Sequence, residues 1–137
     1  MRHAQSEFNV GITDIEDCNI TKNGKLAASD IQGHYDIVIC SNLKRTEQTL
    51  LATKIIYGKI YYTSLCTEVH DKTEYEIEIQ KKDFLKYLLQ FQNLKVLIIS
   101  HGLFIRRLLD LPYRVENLSQ HKFSFSNSDL SSIQGPF

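Results

Sequence analysis

The chain has 137 residues, 42% apolar and 23% charged, which is long enough for one domain over 1–137 with a single buried core and too apolar for a disordered chain. Its 16 Lys and Arg balance 16 Asp and Glu, so the net positive charge of a general nucleic-acid binder is missing, although a local cluster of cations is not excluded. No run approaches the roughly 18 apolar residues of a membrane span, the opening residues carry Arg2, His3 and Glu7 where a secretory leader would be apolar, and Cys18, Cys40 and Cys66 read as free thiols of a reducing compartment. A cytoplasmic protein with no membrane and no nucleic-acid partner is expected.

The first residues, Arg2-His3-Ala4-Gln5-Ser6-Glu7-Phe8-Asn9, are polar and preceded by Met1 alone. Residues 36–40 (DIVIC) form an apolar, β-branched run and predict a buried strand. Ser41 and Asn42 cap a following helix, in which Leu50, Leu51 and Ile55 are expected to form the buried stripe. Residues 59–63 (KIYYT) predict a second strand, and 81–92 an amphipathic helix burying Phe84, Leu85, Leu88 and Leu89. Residues 95–99 (KVLII) are the clearest strand, and Ser100-His101-Gly102 turns it into a helix over 103–110 that stops at Pro112. Residues 122–126 and 130–134 are expected as short terminal strands or loops. Strands alternating with helices predict an α/β class with a mostly parallel sheet in a three-layer αβα sandwich. Such sheets bind ligands at the carboxyl ends of their strands.

Two polar motifs fall at those ends: Ser41-Asn42-Leu43-Lys44-Arg45-Thr46 after the strand at 36–40, and Ser100-His101-Gly102 after the strand at 95–99. They bring Arg45 and His101 together, in front of helix N-termini whose free N–H groups favour an anion. Gly102, without a Cβ, is expected to let a ligand approach the backbone. With Arg2 and His3 added, the natural occupant is a phosphoryl group, whose oxygens match the guanidinium fork. Any one of these residues alone is ordinary surface or structural polarity; their order and spacing together are not.

On these residues the sequence resembles the histidine phosphatase superfamily, which includes the cofactor-dependent phosphoglycerate mutases. Arg2-His3-Ala4-Gln5-Ser6-Glu7-Phe8-Asn9 is similar to the family's Arg-His-Gly-x-Ser-x-x-Asn opening, with Ala4 in place of Gly. Ile20-Thr21-Lys22-Asn23-Gly24 is similar to its Leu-Thr-x-x-Gly segment, Ser41 to Thr49 to its Ser-x-Leu-x-Arg-x-x-x-Thr segment, and Ser100-His101-Gly102 with Ile105-Arg106 to its Ser-His-Gly block. Phe125-Ser126-Asn127-Ser128 stands where the family has an Asn-Ala or Asn-Ser turn.

The resemblance implies that His3 is the nucleophile of a phosphomonoester hydrolase and forms a transient phosphohistidine. Arg2, Arg45, His101 and Gly102 would bind the phosphoryl oxygens, and Asn9 would add a donor. His3 has to be neutral to attack, whereas His101 serves best as a cation beside the bound dianion. The leaving alkoxide needs a proton, for which Glu68 is the first candidate and Asp71 the second. A metal site built on Glu68, His70 and Asp71 is the weaker alternative, because no second ligand cluster accompanies it. No cofactor and no metal are implied, and the partner is a small phosphorylated metabolite or a phosphoprotein. Two other functions stay open: a catalytically inactive phosphatase-like binding protein, and a phosphoglycerate mutase. The short segment between Glu68 and the helix at 81 leaves little room for a substrate-enclosing insertion and favours hydrolysis over mutase chemistry.

One departure stands out. In the family the Arg-His pair ends a central apolar strand, and here that strand is missing or truncated. The chain is expected to start late, to rearrange its sheet, or to take the strand from a partner, with the nucleophile less firmly anchored in consequence.

Overall fold

Apolar side chains on both faces make β1 (Gln32–Ser41) the middle strand of a parallel sheet, flanked by β2 (Lys54–Thr63) and β3 (Val96–Ile99). The computed structural model describes residues 1–13 and 17–124, and among these it holds three strands and four helices. Successive β1 residues alternate between faces, as the pleat requires. Ile37 and Ile39 join Cys66, Phe84, Leu88 and Phe104 in the larger core, beneath α3 (Glu74–Leu88) and α4 (Gly102–Leu108). Val38 and Cys40 face the other way, onto Leu50, Leu97 and Ile99, with α2 (Lys44–Ala52) and its neighbour α1 (Lys22–Ala28) on that side. The class is therefore α/β with a parallel sheet between helices.

The elements differ from the sequence expectation mainly at their polar ends. β1 begins several residues before 36 because its first residues are polar and partly exposed, and β2 begins before 59 because Ile55, read as the end of a helix, and Ile56 already lie on its exposed amino end. The helix placed at 81–92 starts at Glu74, where Thr73 and Glu76 form a reciprocal capping box, and ends at Leu88 before a single 3₁₀ turn over Leu89–Phe91. α2 stops at Ala52, so Leu51 is 70% exposed and Ile55 lies on β2; of the expected stripe, Leu50 alone is buried in the helix. α1 carries no apolar stripe and rests instead on its Thr21 cap, whose hydroxyl accepts from the Gly24 N–H at 2.9 Å. At Gly24 a Cβ would stand 2.5 Å from the Gln5 carbonyl oxygen, so the close approach of α1 to the first segment needs a glycine. The motif at 125–128 and the terminal segment at 130–134 lie outside the described residues.

Met1, Arg2 and His3 lie parallel to β3, in the place expected of the central strand's end. Arg2 forms an isolated parallel bridge with Ser100. The Ser100 N–H donates to the Met1 carbonyl at 2.9 Å and the His3 N–H to the Ser100 carbonyl at 3.0 Å. On the opposite side the Arg2 N–H donates to Ser119 at 3.2 Å and Leu118 N–H donates to Arg2 at 3.0 Å. The sheet is not rearranged, and the nucleophile candidate is better anchored than the sequence suggests. Further along, β3, with no second strand beside this stretch among the described residues, lines a groove of about 740 Å³.

Candidate active site

The carboxyl ends of β1 and β3, together with the first three residues, converge on one buried polar cluster. β1 runs into Ser41 and delivers Arg45 on the first turn of α2. β3 runs through Ser100 into His101, the N-cap of α4. The His3 and His101 rings stand 5.2 Å apart, centroid to centroid, and are 2% and 0% exposed.

Hydrogen bonding fixes both tautomers. His3 Nδ1 lies 2.6 Å from the Ala4 carbonyl, which can only accept, so Nδ1 carries the proton and Nε2 the lone pair. Arg45 Nε donates to that lone pair at 3.2 Å. Arg45 Nη2 lies 3.2 Å from His101 Nδ1; a guanidinium only donates, so His101 Nδ1 accepts and its Nε2–H faces Ser41 Oγ at 2.7 Å. A single guanidinium thus bridges two neutral imidazoles. Burial is the first cause of their neutrality. It pulls the His3 pKa down to about 3, with Arg45 and Arg2 acting in the same sense and the Ala4 carbonyl opposing. Burial, then His3, Arg45 and Arg2, holds His101 well below the ordinary imidazole value. Without a ligand, then, His101 is not the cation that the sequence reading prefers.

Arg2 is 8% exposed. Its Nη1 donates to the Val115 carbonyl at 2.8 Å, while its Nε is buried with no partner among the described residues. An unpaired buried donor costs about 1–3 kcal/mol, and an incoming oxyanion would offset that cost. Gly102 makes room for this side chain: a Cβ there would stand 3.1 Å from Arg2 Nε and 3.3 Å from the Val115 carbonyl. The missing Cβ therefore serves Arg2 first, and the ligand through it.

Arg2, His3, Asn9, Arg45, Glu68 and Gly102 all line one cavity of about 340 Å³. His101 does not reach its wall; it lies fully buried behind Arg45. Glu68 follows β2 after a 3₁₀ turn over Ser64–Cys66, accepts from the Val69 N–H at 3.0 Å and stands 3.9 Å from Arg45 Nη2. Asp71, the second candidate, is exposed and outside the cavity wall. Asn9 Oδ1 accepts from the Ser6 N–H at 3.1 Å and from Asn117 Nδ2 at 3.2 Å, which leaves the Asn9 amide NH₂ to meet a ligand. Glu68 and His70 approach to 4.0 Å, but among the described residues no three His, Cys, Asp or Glu side chains gather as a metal-binding group.

Three supporting residues have no role in the site from sequence; Ser41, expected with Asn42 as a helix cap, does not cap α2, whose N-cap is Leu43 with no side-chain cap bond. Ser41 orients His101. Thr49 accepts from the Ala4 N–H at 2.9 Å and donates to the Arg45 carbonyl at 2.7 Å, tying the segment after His3 to α2. Asn117 donates to the His3 carbonyl at 3.1 Å. Ser41 and Thr49 stand at fixed places in the motif around Arg45, which was the available signal; Asn117 has none. No helix among the described residues is long and apolar enough to cross a membrane.

No protein-family model matches this sequence significantly, nor does any curated protein sequence. Solved structures do match in fold. A phosphoserine phosphatase mutant from Entamoeba histolytica, in complex with phosphoserine, aligns at a TM-score of 0.69 with 15% identity, covering 98% of this chain and 94% of its own. The product of an open reading frame of Mycobacterium tuberculosis aligns at 0.66 with 15% identity, covering 92% and 89%. A mycobacterial glucosyl-3-phosphoglycerate phosphatase aligns at 0.61 with 16% identity, covering 97% and 92%. At these identities the likeness speaks for architecture, and the chain has the histidine phosphatase fold, with Met1–His3 lying at the end of its central strand.

Proposed function

We propose that the protein hydrolyses small phosphomonoesters through a phosphohistidine on His3. One observation carries this reading: a buried guanidinium, Arg45, spans the lone pair of His3 Nε2 and His101 Nδ1 on a cavity whose other buried cation, Arg2, has an Nε without a partner among the described residues. On binding, the phosphoryl oxygens take over Arg45 Nε, Arg2 Nε, the Asn9 amide and the backbone N–H at Gly102. Withdrawal of Arg45 from His3 frees the lone pair, so binding and activation of the nucleophile are one event. His3 Nε2 then attacks phosphorus, the bond to the ester oxygen breaks, and protonated Glu68 gives its proton to the leaving alkoxide. In the second half, water attacks phosphorus and loses a proton to Glu68, the P–N bond breaks, and the electron pair returns to Nε2. Charge spreads over three equatorial oxygens in both transition states, where fixed guanidinium donors act most strongly. His101, buried behind Arg45, acts on the bound group through that guanidinium, which its Nδ1 helps to hold.

The test is hydrolysis of p-nitrophenyl phosphate without added metal, together with acid-quench labelling by a phosphorylated substrate. His3→Ala should lose about 10³-fold or more in rate and all acid-labile label. Equal rates in wild type and His3→Ala would defeat the hydrolase reading. The contact of Arg45 with His3 Nε2 favours a second reading, phosphate binding without turnover; it predicts saturable phosphate binding and no label on His3. A mutase would show dependence on a bisphosphorylated primer.

A further inference from the structure

The groove beside β3 is a slot one strand wide, and none of its lining residues lines the phosphoryl cavity. Met1–His3 occupies the far end of the slot, bonded to Ser100 on one side and to Leu118 and Ser119 on the other. Towards the amino end of β3 two walls continue, β3 and the segment 120–124, around about 740 Å³. The ladder fixes what β3 presents there. The Ile37 N–H donates to the Lys95 carbonyl at 3.2 Å and Ile37 is in register with Val96, so Lys95 and Leu97 turn their backbone groups to β1. Val96 and Ile98 turn theirs into the slot, where the Ile98 carbonyl accepts from the Met1 amino nitrogen. The Val96 N–H, the Val96 carbonyl and the Ile98 N–H have no backbone partner among the described residues. The slot is apolar on both faces of the sheet: Val96 and Ile98 point with Phe91 to the larger core, and Leu97 points with Tyr35 to the other. A segment filling it therefore needs a continuous apolar, β-branched run and not an alternating one. Charge sets its end. Lys95 and Lys122 line the slot and are exposed, and no Asp or Glu lines it.

We infer that this slot docks an extended segment of a partner polypeptide, about four consecutive apolar residues led by a carboxylate, which adds to β3 as a parallel strand in line with Met1–His3. One residue of the segment gives its N–H to the Val96 carbonyl and accepts the Ile98 N–H. Its side chains close both cores, and its leading acid meets Lys95, next before β3. A second copy of this chain is the poorer occupant, because pairing through the same edge sets Lys95 and Lys122 against their own kind. The inference does not depend on the hydrolase reading.

The experiment titrates the full chain into the peptide Asp-Val-Ile-Val-Val-Thr, amidated at its carboxyl end and carrying fluorescein on an amino-terminal Gly-Ser linker. Binding should be saturable, and Pro-Pro in place of the central Ile-Val should weaken it about tenfold or more, since a ladder donor is lost. Lys in place of Asp should weaken it about fivefold at low ionic strength, the scale of a solvated ion pair, and Lys95→Glu should reverse the order of these two peptides. Amide hydrogen exchange read by NMR should slow about tenfold at Val96 and Ile98 with peptide bound and stay unchanged at Leu97, which is already bonded to β1. No binding at about 1 mM peptide, or binding that neither Pro-Pro weakens nor Val96 and Ile98 register, overturns the proposal. Equal affinity for the Asp and Lys peptides overturns the carboxylate and with it this partner. Val96 and Ile98 amides already slow in the free chain and unmoved by peptide would mean that the slot is closed from within the same chain. Protection that rises with protein concentration alone, with a doubled mass in light scattering, would assign the slot to a second copy. Either result overturns the proposal.

Discussion

The two ends of β3 present opposite surfaces. At the carboxyl end Ser100 and His101 meet Met1–His3, and backbone groups are paired on both sides of Arg2. Met1 adds a bond from its amino nitrogen to the Ile98 carbonyl at 2.7 Å. At the amino end Val96 and Leu97 line a groove shared with Leu88, Phe91 and Phe123, and no strand among the described residues lies along this edge. The polar cluster is ordered by hydrogen bonds that need three residues, whereas the apolar end would need a whole strand to cover it. Positioning of a reactive group and completion of a core are thus separable: the first uses a few directional bonds, the second uses area.

Substitutions and pH can break or sharpen this contrast. The largest effect is expected at the polar end, where Arg45→Gln removes the shared donor and should slow p-nitrophenyl phosphate hydrolysis about 10²–10³-fold with the fold intact by circular dichroism. Acid comes next. His3 and His101 have folded pKa values below the ordinary 6.5, so the unfolded chain takes up protons first as pH falls. Stability should therefore drop from about pH 6.5 downward, by about 1.4 kcal/mol per pH unit for each imidazole, and for His3 until about pH 3. Urea titrations across this range measure the slope, and inorganic phosphate should reduce it by favouring the protonated imidazole. The smallest effect belongs to the groove: Val96→Ala should cost about 1 kcal/mol or less, against about 2–5 kcal/mol for Ile99→Ala, whose side chain is 0% exposed. Equal costs in chemical denaturation would mean that both ends of β3 are packed alike.

The polar cluster was legible because its members sit directly after apolar strands, where a parallel sheet must bring them together. The backbone of α1 was not, since Leu26 is 60% exposed and the helix rests on a cap and on glycine contact. The early start of α3 had a readable signal in Thr73 and Glu76, overlooked because the first turn is charged. The error at Leu51 and Ile55 came from extending a helical period through Thr53, where the chain already turns into β2. The place of His101 behind Arg45 was beyond sequence reasoning, because spacing tells which residues converge and not which of them stands in front. The expectations of a cytoplasmic location and of a phosphoprotein partner rest on sequence alone.

The bond from His3 Nδ1 to its neighbour's carbonyl has a stereochemical consequence. With that nitrogen committed to the peptide, the phosphoryl transfer proposed for this ring would be regioselective and yield the τ isomer. An isomer-specific antibody, or the ³¹P resonance of the trapped adduct, would register τ-phosphohistidine and no π form.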